Sequence, residues 1–383
     1  FPLVLKDKDN NTILTGVALV DAYINYDFSN PIDHTHNASA TIGRNNEFTL
    51  NMATIGIESN YKNMIGRLWL QTGSMLSIIQ DQDATAMRGK NNNLQNLKNI
   101  REAAAGYHFN KWYGINVEMG IFMSYIGLES YVTQENWCYQ RSTICEFTPF
   151  YFSGARLQVY PTKNFKTELW LLNGWQSYNA WNNSLGIGSS NYYRPHENLQ
   201  LVANFYLGKD SKIGTTRFHH DNSVLYRYLP KSKGKISQAA FCLNTHYGFE
   251  GTNNIVGAAL SHRLWFHNNK LAWTLRVDAL KNKGAYLAIA PCTQELNPYN
   301  IALSTMSNPS LNITQLTSTI DIMPNDFYTL RLEYSYRNSN IPYFAGAGGT
   351  TSPDGWQQTP VVNWMPDLQK NDHSLRVAVN FRL

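Results

Sequence analysis

The alternation of apolar and polar side chains at every second position is the feature that most constrains the fold of this chain. In the stretch 271–279 apolar residues stand at every odd position, and Thr274, Arg276 and Asp278 stand between them. Successive side chains of a β-strand point to opposite faces, so this segment has one apolar face and one charged face. The stretches 328–337 and 375–383 repeat the pattern. Such strands are expected where one face of a sheet meets water and the other meets an apolar phase.

About sixteen segments of this kind can be drawn along the chain. Most of them reach the roughly 9–11 residues that a tilted strand needs to cross a bilayer, whereas strands of soluble proteins are typically about 5–6 residues long. The segments are 12–28, 45–60, 63–78, 97–109, 111–124, 148–162, 164–175, 183–194, 197–208, 217–229, 236–249, 253–267, 269–283, 313–324, 326–338 and 371–383.

The connections between these segments alternate between long loops, such as 29–44, 125–147 and 339–370, and tight turns, with the short connection 250–252 as the one exception. Outer-membrane barrels show this asymmetry, with short periplasmic turns and longer extracellular loops. We therefore predict an all-β fold, namely a transmembrane antiparallel up-and-down barrel of about sixteen strands in the bacterial outer membrane. A single domain is predicted over residues 1–383, with 1–11 as a periplasmic N-terminal extension.

Composition agrees with this fold and excludes several classes of function. Charged residues make up 15% of the chain, against about 25% in ordinary soluble proteins, yet the mean hydropathy is only −0.38. The net charge of +5 is spread along the chain without a basic block, so no nucleic-acid partner is expected. We find no GxSxG, HExxH or P-loop motif. We therefore predict no enzymatic activity, no cofactor and no metal site.

The last strand ends in alternating apolar residues, which are Val377, Val379, Phe381 and Leu383. This pattern is similar to the C-terminal signal by which the barrel-assembly machinery of Gram-negative bacteria recognises its clients. We therefore expect outer-membrane lipid and that machinery as partners. A homo-oligomer and accessory outer-membrane proteins are left open as further partners.

The alternation also assigns residues to the water-filled interior. A charged side chain that faces lipid at mid-membrane costs about 2–4 kcal/mol for Arg, so the charged positions of the strands should face inward. The six Arg and five carboxylates in this set nearly balance, so weak ion selectivity is expected. The predicted pore-lining residues are Asp21, Asn25, Asp27, Arg67, Gln71, Glu118, Arg156, Arg263, Arg276, Asp278, Arg331, Glu333 and Arg376.

The third long loop, 125–147, is the candidate constriction loop of the pore. It carries Glu129, Glu135, Arg141 and Glu146, and acidic groups facing a basic wall would set up a transverse field across a narrowing. The alternative is that the loop lies flat over the rim. Cys138 and Cys145 lie within this loop, and a disulfide between them would stiffen it. Pairing between Cys242 and Cys292 is left open.

Six stretches of the sequence carry a family likeness, which is densest between residues 97 and 176. They are Asp21–Phe28, Glu102–Tyr107, Gly120–Tyr131, Asn136–Ser142, Phe150–Gly154 and Leu172–Gln176. Taken together, they resemble the OmpL-like outer-membrane β-barrel porins of the Bacteroidota lineage. The resemblance implies a barrel in the outer membrane and a transport role, without specifying a substrate.

The leading functional hypothesis is a porin for passive diffusion of small hydrophilic solutes and ions. A substrate-selective channel, for example for saccharides that stack on the many Tyr and Trp rings, is the second hypothesis. A structural or adhesive barrel and a lipid-acting enzyme are less favoured. For the enzyme, the nearest candidate pair is Ser261 with His262, which as neighbours on a strand should face opposite sides.

Overall fold

A computed structural model describes residues 3–83, 97–180, 182–210, 214–232, 234–284, 286–287, 310–357 and 364–383. Sixteen antiparallel strands form one closed barrel, which confirms the predicted fold class. The barrel strands are β2 (Thr12–Asp27), β3 (Phe48–Tyr61), β4 (Met64–Thr72), β5 (Ile100–Phe109), β6 (Ile115–Met123), β7 (Tyr151–Thr162), β8 (Phe165–Leu172), β9 (Gly186–His196), β10 (Leu199–Lys209), β11 (Thr216–Leu229), β12 (Ile236–Glu250), β13 (Asn253–Phe266), β14 (Leu271–Lys283), β15 (Ser310–Asn325), β16 (Tyr328–Ser339) and β19 (Asn371–Arg382).

Each barrel strand pairs with its neighbour in the chain, and the last strand closes the circle. β19 pairs with β2 from Ser374↔Asp27 to Arg382↔Leu19. The amide of Leu383 also donates to the carbonyl of Ala18 at 2.8 Å. Pairing between the last and the first barrel strand therefore closes the barrel.

The connections differ in length between the two ends of the barrel. At one end, which we call the turn end, the connections are as short as 62–63, 163–164 and 326–327. At the other, the loop end, the connections include loop 1 (28–47), loop 3 (124–150) and the stretch 340–370. Positive φ angles at Lys62 and Asn63 give the tight reversal after β3.

Three smaller features depart from or add to the predicted strands. The predicted segment 63–78 ends as a strand at Thr72 and continues as helix α1 (Ser74–Asp81). Gly73 makes this change of direction at φ 130°, where a Cβ would lie 2.2 Å from the carbonyl oxygen of Asn51. The N-terminal residues form strand β1 (Leu3–Lys6), which pairs with the start of β2. A two-residue pairing joins β17 (Phe344–Ala345) to β18 (Leu368–Gln369).

The two faces of the wall differ as the alternation predicts. Outward side chains are apolar and exposed, for example Leu260 at 52% and Val277 at 54%. The predicted assembly signal lies on this outer face, where Val377, Phe381 and Leu383 are exposed. Its recognition by the assembly machinery stays a prediction. Among the described residues, no helix is long and apolar enough to span a membrane.

Candidate functional site

The lumen of the barrel brings together the predicted pore-lining residues, but it does not leave most of them in open water. The inward face of β14, for instance, presents Arg276 and Asp278, each almost fully buried. Only Arg67 and Arg156 in the predicted set are partly exposed, with side-chain exposures of 22% and 11%. The other predicted pore-lining residues are buried. A segment inside the barrel therefore covers the inner face of the wall.

Loop 3 is the segment that covers it. The loop enters the lumen from the loop end and descends along the inner face of β13 to β2. Near the turn end its Glu135 pairs with Arg382, the last residue of β19, at 2.5 Å. Close by, the ring of Trp137 packs edge-on against Trp265 near the end of β13. The loop thus spans most of the depth of the barrel and does not lie flat over the rim.

Ion pairs and charge-assisted hydrogen bonds attach loop 3 to the wall. Arg276 binds the carboxylate of Glu129 at 2.7 Å and the carbonyl oxygen of Gln140 at 2.8 Å. Loop 3 also donates hydrogen bonds to the wall. Asp278 accepts them from the amide and hydroxyl of Thr143 at 2.9 and 2.6 Å. Hydrogen bonds to ionised groups are roughly twice as strong as neutral ones. The wall charges therefore act as anchors for the loop.

The neighbouring strands repeat this arrangement. Glu333 of β16 accepts from the backbone amides of Tyr139 and Gln140 at 2.6 and 3.0 Å. Arg331, two residues earlier on β16, donates to the carbonyl oxygens of Thr133 and Asn136 at 3.0 and 2.9 Å. These bonds satisfy backbone groups of an irregular segment that would otherwise be buried without partners.

Most wall arginines also have a carboxylate partner in the wall itself. Arg331 and Arg263 both pair with Asp321, at 2.5 and 2.7 Å. Arg376 pairs with Glu333 at 2.6 Å. On the opposite wall, Arg67 and Arg156 share Glu118, each at 2.5 Å. The described lumen therefore contains many charged side chains, and most of these charges are neutralised by a partner of opposite sign.

The charged groups of loop 3 do not form the predicted transverse field across an open gap. Glu129 touches Arg276 directly, and Glu146 is turned toward loop 1, where it accepts from the amides of Ala40 and Thr41 at 3.0 and 3.1 Å. The guanidinium of Arg141 lies over the ring of Phe150 at 4.3 Å. The partners of Glu146 could not be predicted from the sequence, because they lie about a hundred residues away in another loop.

The predicted disulfide between Cys138 and Cys145 is wrong, because both residues are free thiols in the structure. The Sγ of Cys145 donates to the side chain of Asn244 on β12 at 3.3 Å, whereas Cys138 lies beside Thr319 on β15. Loop 3 thus points the two thiols at different walls. Burial raises the pKa of each thiol to about 12, which disfavours the reactive thiolate. Cys242 is also free, and Cys292 lies outside the described residues.

Thiol labelling tests this arrangement. We expect Cys138 and Cys145 to resist alkylation in the folded barrel and both to be alkylated in denaturant without any reductant. Cleavage at Arg141 places the two residues on separate peptides, so mass spectrometry reads each thiol alone. If alkylation required prior reduction, Cys138 and Cys145 would be disulfide-bonded and the assignment of free thiols would be wrong.

A second buried network fixes loop 1 and was not predicted. His36 lies between Asp27 and Arg337, with ring nitrogens 2.8 Å from the carboxylate and 3.0 Å from the guanidinium. Arg337 also donates to Asp372 at 2.8 Å. The ligand atoms of Asp27, His36 and Asp372 lie within 4.8 Å of one another, but the Arg337 guanidinium already bonds two of these residues. Arg337 and Asp372 follow the same alternation as the predicted residues, so the alternation could have identified them.

Cavities remain at both ends of the barrel. At the turn end a cavity of about 340 Å³ is lined by residues that include Glu58, Arg67 and Asn116. At the loop end a cavity of about 940 Å³ lies between loop 1 and the stretch 351–357. Among the described residues, open space therefore remains at each end of the barrel.

A closed sixteen-stranded barrel with a charged interior and an inserted loop defines the class of outer-membrane porins. The family described as "Putative beta-barrel porin-2, OmpL-like" matches residues 14–362, and the chain belongs to this family. The protein is therefore an outer-membrane porin, with the turn end in the periplasm and the loop end outside the cell. A comparison with curated protein sequences finds no match.

Solved porin structures share the fold. The outer-membrane channel DcaP of Acinetobacter baumannii is similar at a TM-score of 0.58 and 10% identity, with 99% of each chain covered. OprB of Pseudomonas putida has a TM-score of 0.56 and 9% identity over 97% of this chain and 94% of its own. An anion-selective porin from Comamonas acidovorans has a TM-score of 0.54 and 8% identity over 97% and 99%. At these identities the likeness shows the fold alone.

Proposed function

We propose that this porin conducts small hydrophilic solutes and ions by passive diffusion, with loop 3 as the constriction that sets the size limit. The observation that carries the proposal is the position of loop 3, which is bonded to the charged wall across β13 to β2 while the opposite wall keeps Arg67 and Arg156 partly exposed. A sixteen-stranded barrel without an inserted segment is wide enough for an aqueous channel. The inserted loop therefore narrows the lumen, and the partly exposed Arg67 and Arg156 lie on the wall opposite its ionic anchors.

The aromatic rings of the lumen do not favour a saccharide-selective channel. Tyr125 stacks between Phe152 and Trp170, with ring centroids 5.2 and 4.9 Å apart. Phe122 packs edge-on against the same Trp170. All four rings are buried. Their faces are therefore occupied by one another, and these rings offer no stacking surface to a sugar.

A lipase-like activity has no support in the geometry around His262. This side chain lies on the outer face of β13, where Nε2 is 2.8 Å from the hydroxyl of Tyr228. Ser261 is on the opposite side of the strand. A channel function is therefore favoured over an enzymatic one.

Planar-bilayer recording of the purified protein tests the proposal. We expect small, stable conductance steps, because the loop fills much of the lumen. Under a KCl gradient the reversal potential should lie close to zero, because the wall charges are paired and give little preference for either ion. Bilayers that stay silent would overturn the channel proposal, and a strong preference for one ion would overturn the account of neutralised wall charges.

A further inference from the structure

The outer face of the barrel carries an interruption of its apolar surface between β11 and β15. Directly paired positions on these five strands present small or polar side chains toward the lipid, in the order Asn222, Thr245, Ala258, Ala279 and Thr314. The paired positions two residues nearer the periplasm are all large and apolar, namely Val224, Leu243, Leu260, Val277 and Leu316. The outer surface is therefore indented along one row and filled along the next.

This indentation is a groove of about 630 Å³. Its floor includes Ala258 and Ala279, and Tyr247 and Val256 stand along its upper side. The volume falls within the range of about 300–1,000 Å³ that is typical of small-ligand sites. Because the groove opens outward from the wall, its occupant comes from the membrane and not from the pore.

Two lysines stand at the extracellular end of the groove. Lys281 lines it, and Lys283 ends the same strand on the same outward face. Neither has an ion-pair partner among the described residues, and the described outward positions of β11 to β15 include no acidic side chain. His220 and Asn312 add polar groups at the same level.

We propose that this groove binds a phosphorylated lipid of the outer leaflet, with a phosphate at Lys281 and Lys283 and an acyl chain in the groove over Ala258 and Ala279. Lysine side chains can extend toward the headgroup level while their stems stay along apolar surface. Basic clusters at this depth attract anionic headgroups. The lysines thus favour an anion above the groove, and the small side chains below them leave room for hydrocarbon.

A second copy of this chain is a less suitable occupant. In a two-fold symmetric interface the same patch meets itself, so the two lysines of each copy would approach those of the other. Like charges placed opposite one another oppose such pairing. The lipid proposal depends on the membrane location of the barrel and not on conduction. A failure of one proposal therefore does not contradict the other.

Native mass spectrometry of the barrel in mild detergent tests the site, with bisphosphorylated lipid A as the probe and phosphatidylcholine as the zwitterionic comparison. We expect one retained lipid A on the wild type and little retained phosphatidylcholine. The double variant K281Q/K283Q should retain lipid A about tenfold less, since each lysine near a membrane surface contributes to anion binding. Ala279→Phe, which fills the groove from the lipid side, should reduce retention to a similar extent.

The matched control is Lys209→Gln, which removes a lysine from the same end of β10, outside the groove. It should retain lipid A like the wild type, and all variants should keep wild-type conductance. Equal retention by the wild type and K281Q/K283Q, or equal retention of both lipids by the wild type, would overturn the proposal. A wild-type oligomer that Ala279→Phe converts to monomers would overturn it in favour of a contact between copies. The lysine variants keep the test open if Ala279→Phe fails to fold.

Discussion

Removing the part of loop 3 from Glu129 to Glu146, with Leu128 joined to Phe147 through a short glycine–serine linker, is expected to raise the single-channel conductance several-fold. The deleted residues include Thr133, whose hydroxyl donates to Asp21 at 2.9 Å, and Tyr139, whose hydroxyl reaches the same carboxylate at 2.8 Å. Without them the inward side chains of β13 to β2 become solvated. Because these side chains are charged or polar, water can replace the loop without leaving them unpaired. The lumen then approaches the open channel that sixteen strands can enclose.

Planar-bilayer recording measures this effect, and heat-dependent gel mobility shows whether the variant barrel is folded. The matched control is a deletion of Leu3–Lys6, which pairs at the edge of β2 and leaves Leu3 82% exposed. This control should keep the wild-type conductance. A folded loop-deletion variant with unchanged conductance would show that loop 3 is not the constriction.

The barrel itself could be predicted from sequence because its determinants are local. The alternation around Arg276 or Arg331 is visible within ten residues, and it follows from the two-residue period of a strand. Turn and loop lengths are equally local, which is why the orientation of the hairpins could be inferred. The end of β4 was misplaced, since the apolar residues after Gly73 suit a short amphipathic helix as well as a strand.

The contents of the lumen could not be predicted in the same way. Sequence alone indicates that Arg276 faces inward, but not that Glu129, 147 residues earlier, comes to lie 2.7 Å from it. The free state of Cys145 likewise depends on where α2 (Thr143–Glu146) meets β12 and β14. These contacts depend on the path of an irregular loop, which has no periodicity to read.

The groove on the outer face could not be predicted from the sequence either, because it depends on strand register. Thr245, Ala258 and Ala279 are ordinary within their own strands, since each is a single small residue in an apolar row. They form a groove only because β12, β13 and β14 align them side by side. A shift of one residue in any of these pairings would place a different face outward. The groove is therefore a property of the assembled sheet.

The largest effect of a single substitution is expected for Arg276→Ala. Its guanidinium bonds Glu129 of loop 3, Asp278 of the wall and the hydroxyl of Thr317, and it is buried. Removing one partner of a buried ion pair costs about 3–5 kcal/mol, because the remaining charge is left uncompensated. Here two carboxylates, those of Glu129 and Asp278, lose their cationic partner. We expect the free energy of unfolding to fall by about 3 kcal/mol, the lower end of that range, since water can enter from the lumen.

The same substitution should also change conduction. Loop 3 loses its bond to β14, so the channel should open more widely and fluctuate between levels that the wild type does not show. Urea unfolding of the barrel in lipid vesicles measures the stability, and bilayer recording measures the fluctuation. The double variant Arg276→Ala/Glu129→Ala should recover part of the lost stability, because it removes one of the unpaired carboxylates.

Arg382→Ala is the matched control, since it breaks the second ion pair that the described residues form between loop 3 and the wall. Arg382 and Glu135 keep side-chain exposures of 40% and 38%, so their pair is solvated, unlike that of Arg276. Solvated pairs contribute at most about 1 kcal/mol, and the control should keep quiet, wild-type conductance. If Arg276→Ala behaved like Arg382→Ala in both measurements, the buried pair would not be what fixes loop 3. Burial of the Arg276 pair is therefore the property that separates an anchor of loop 3 from a surface contact.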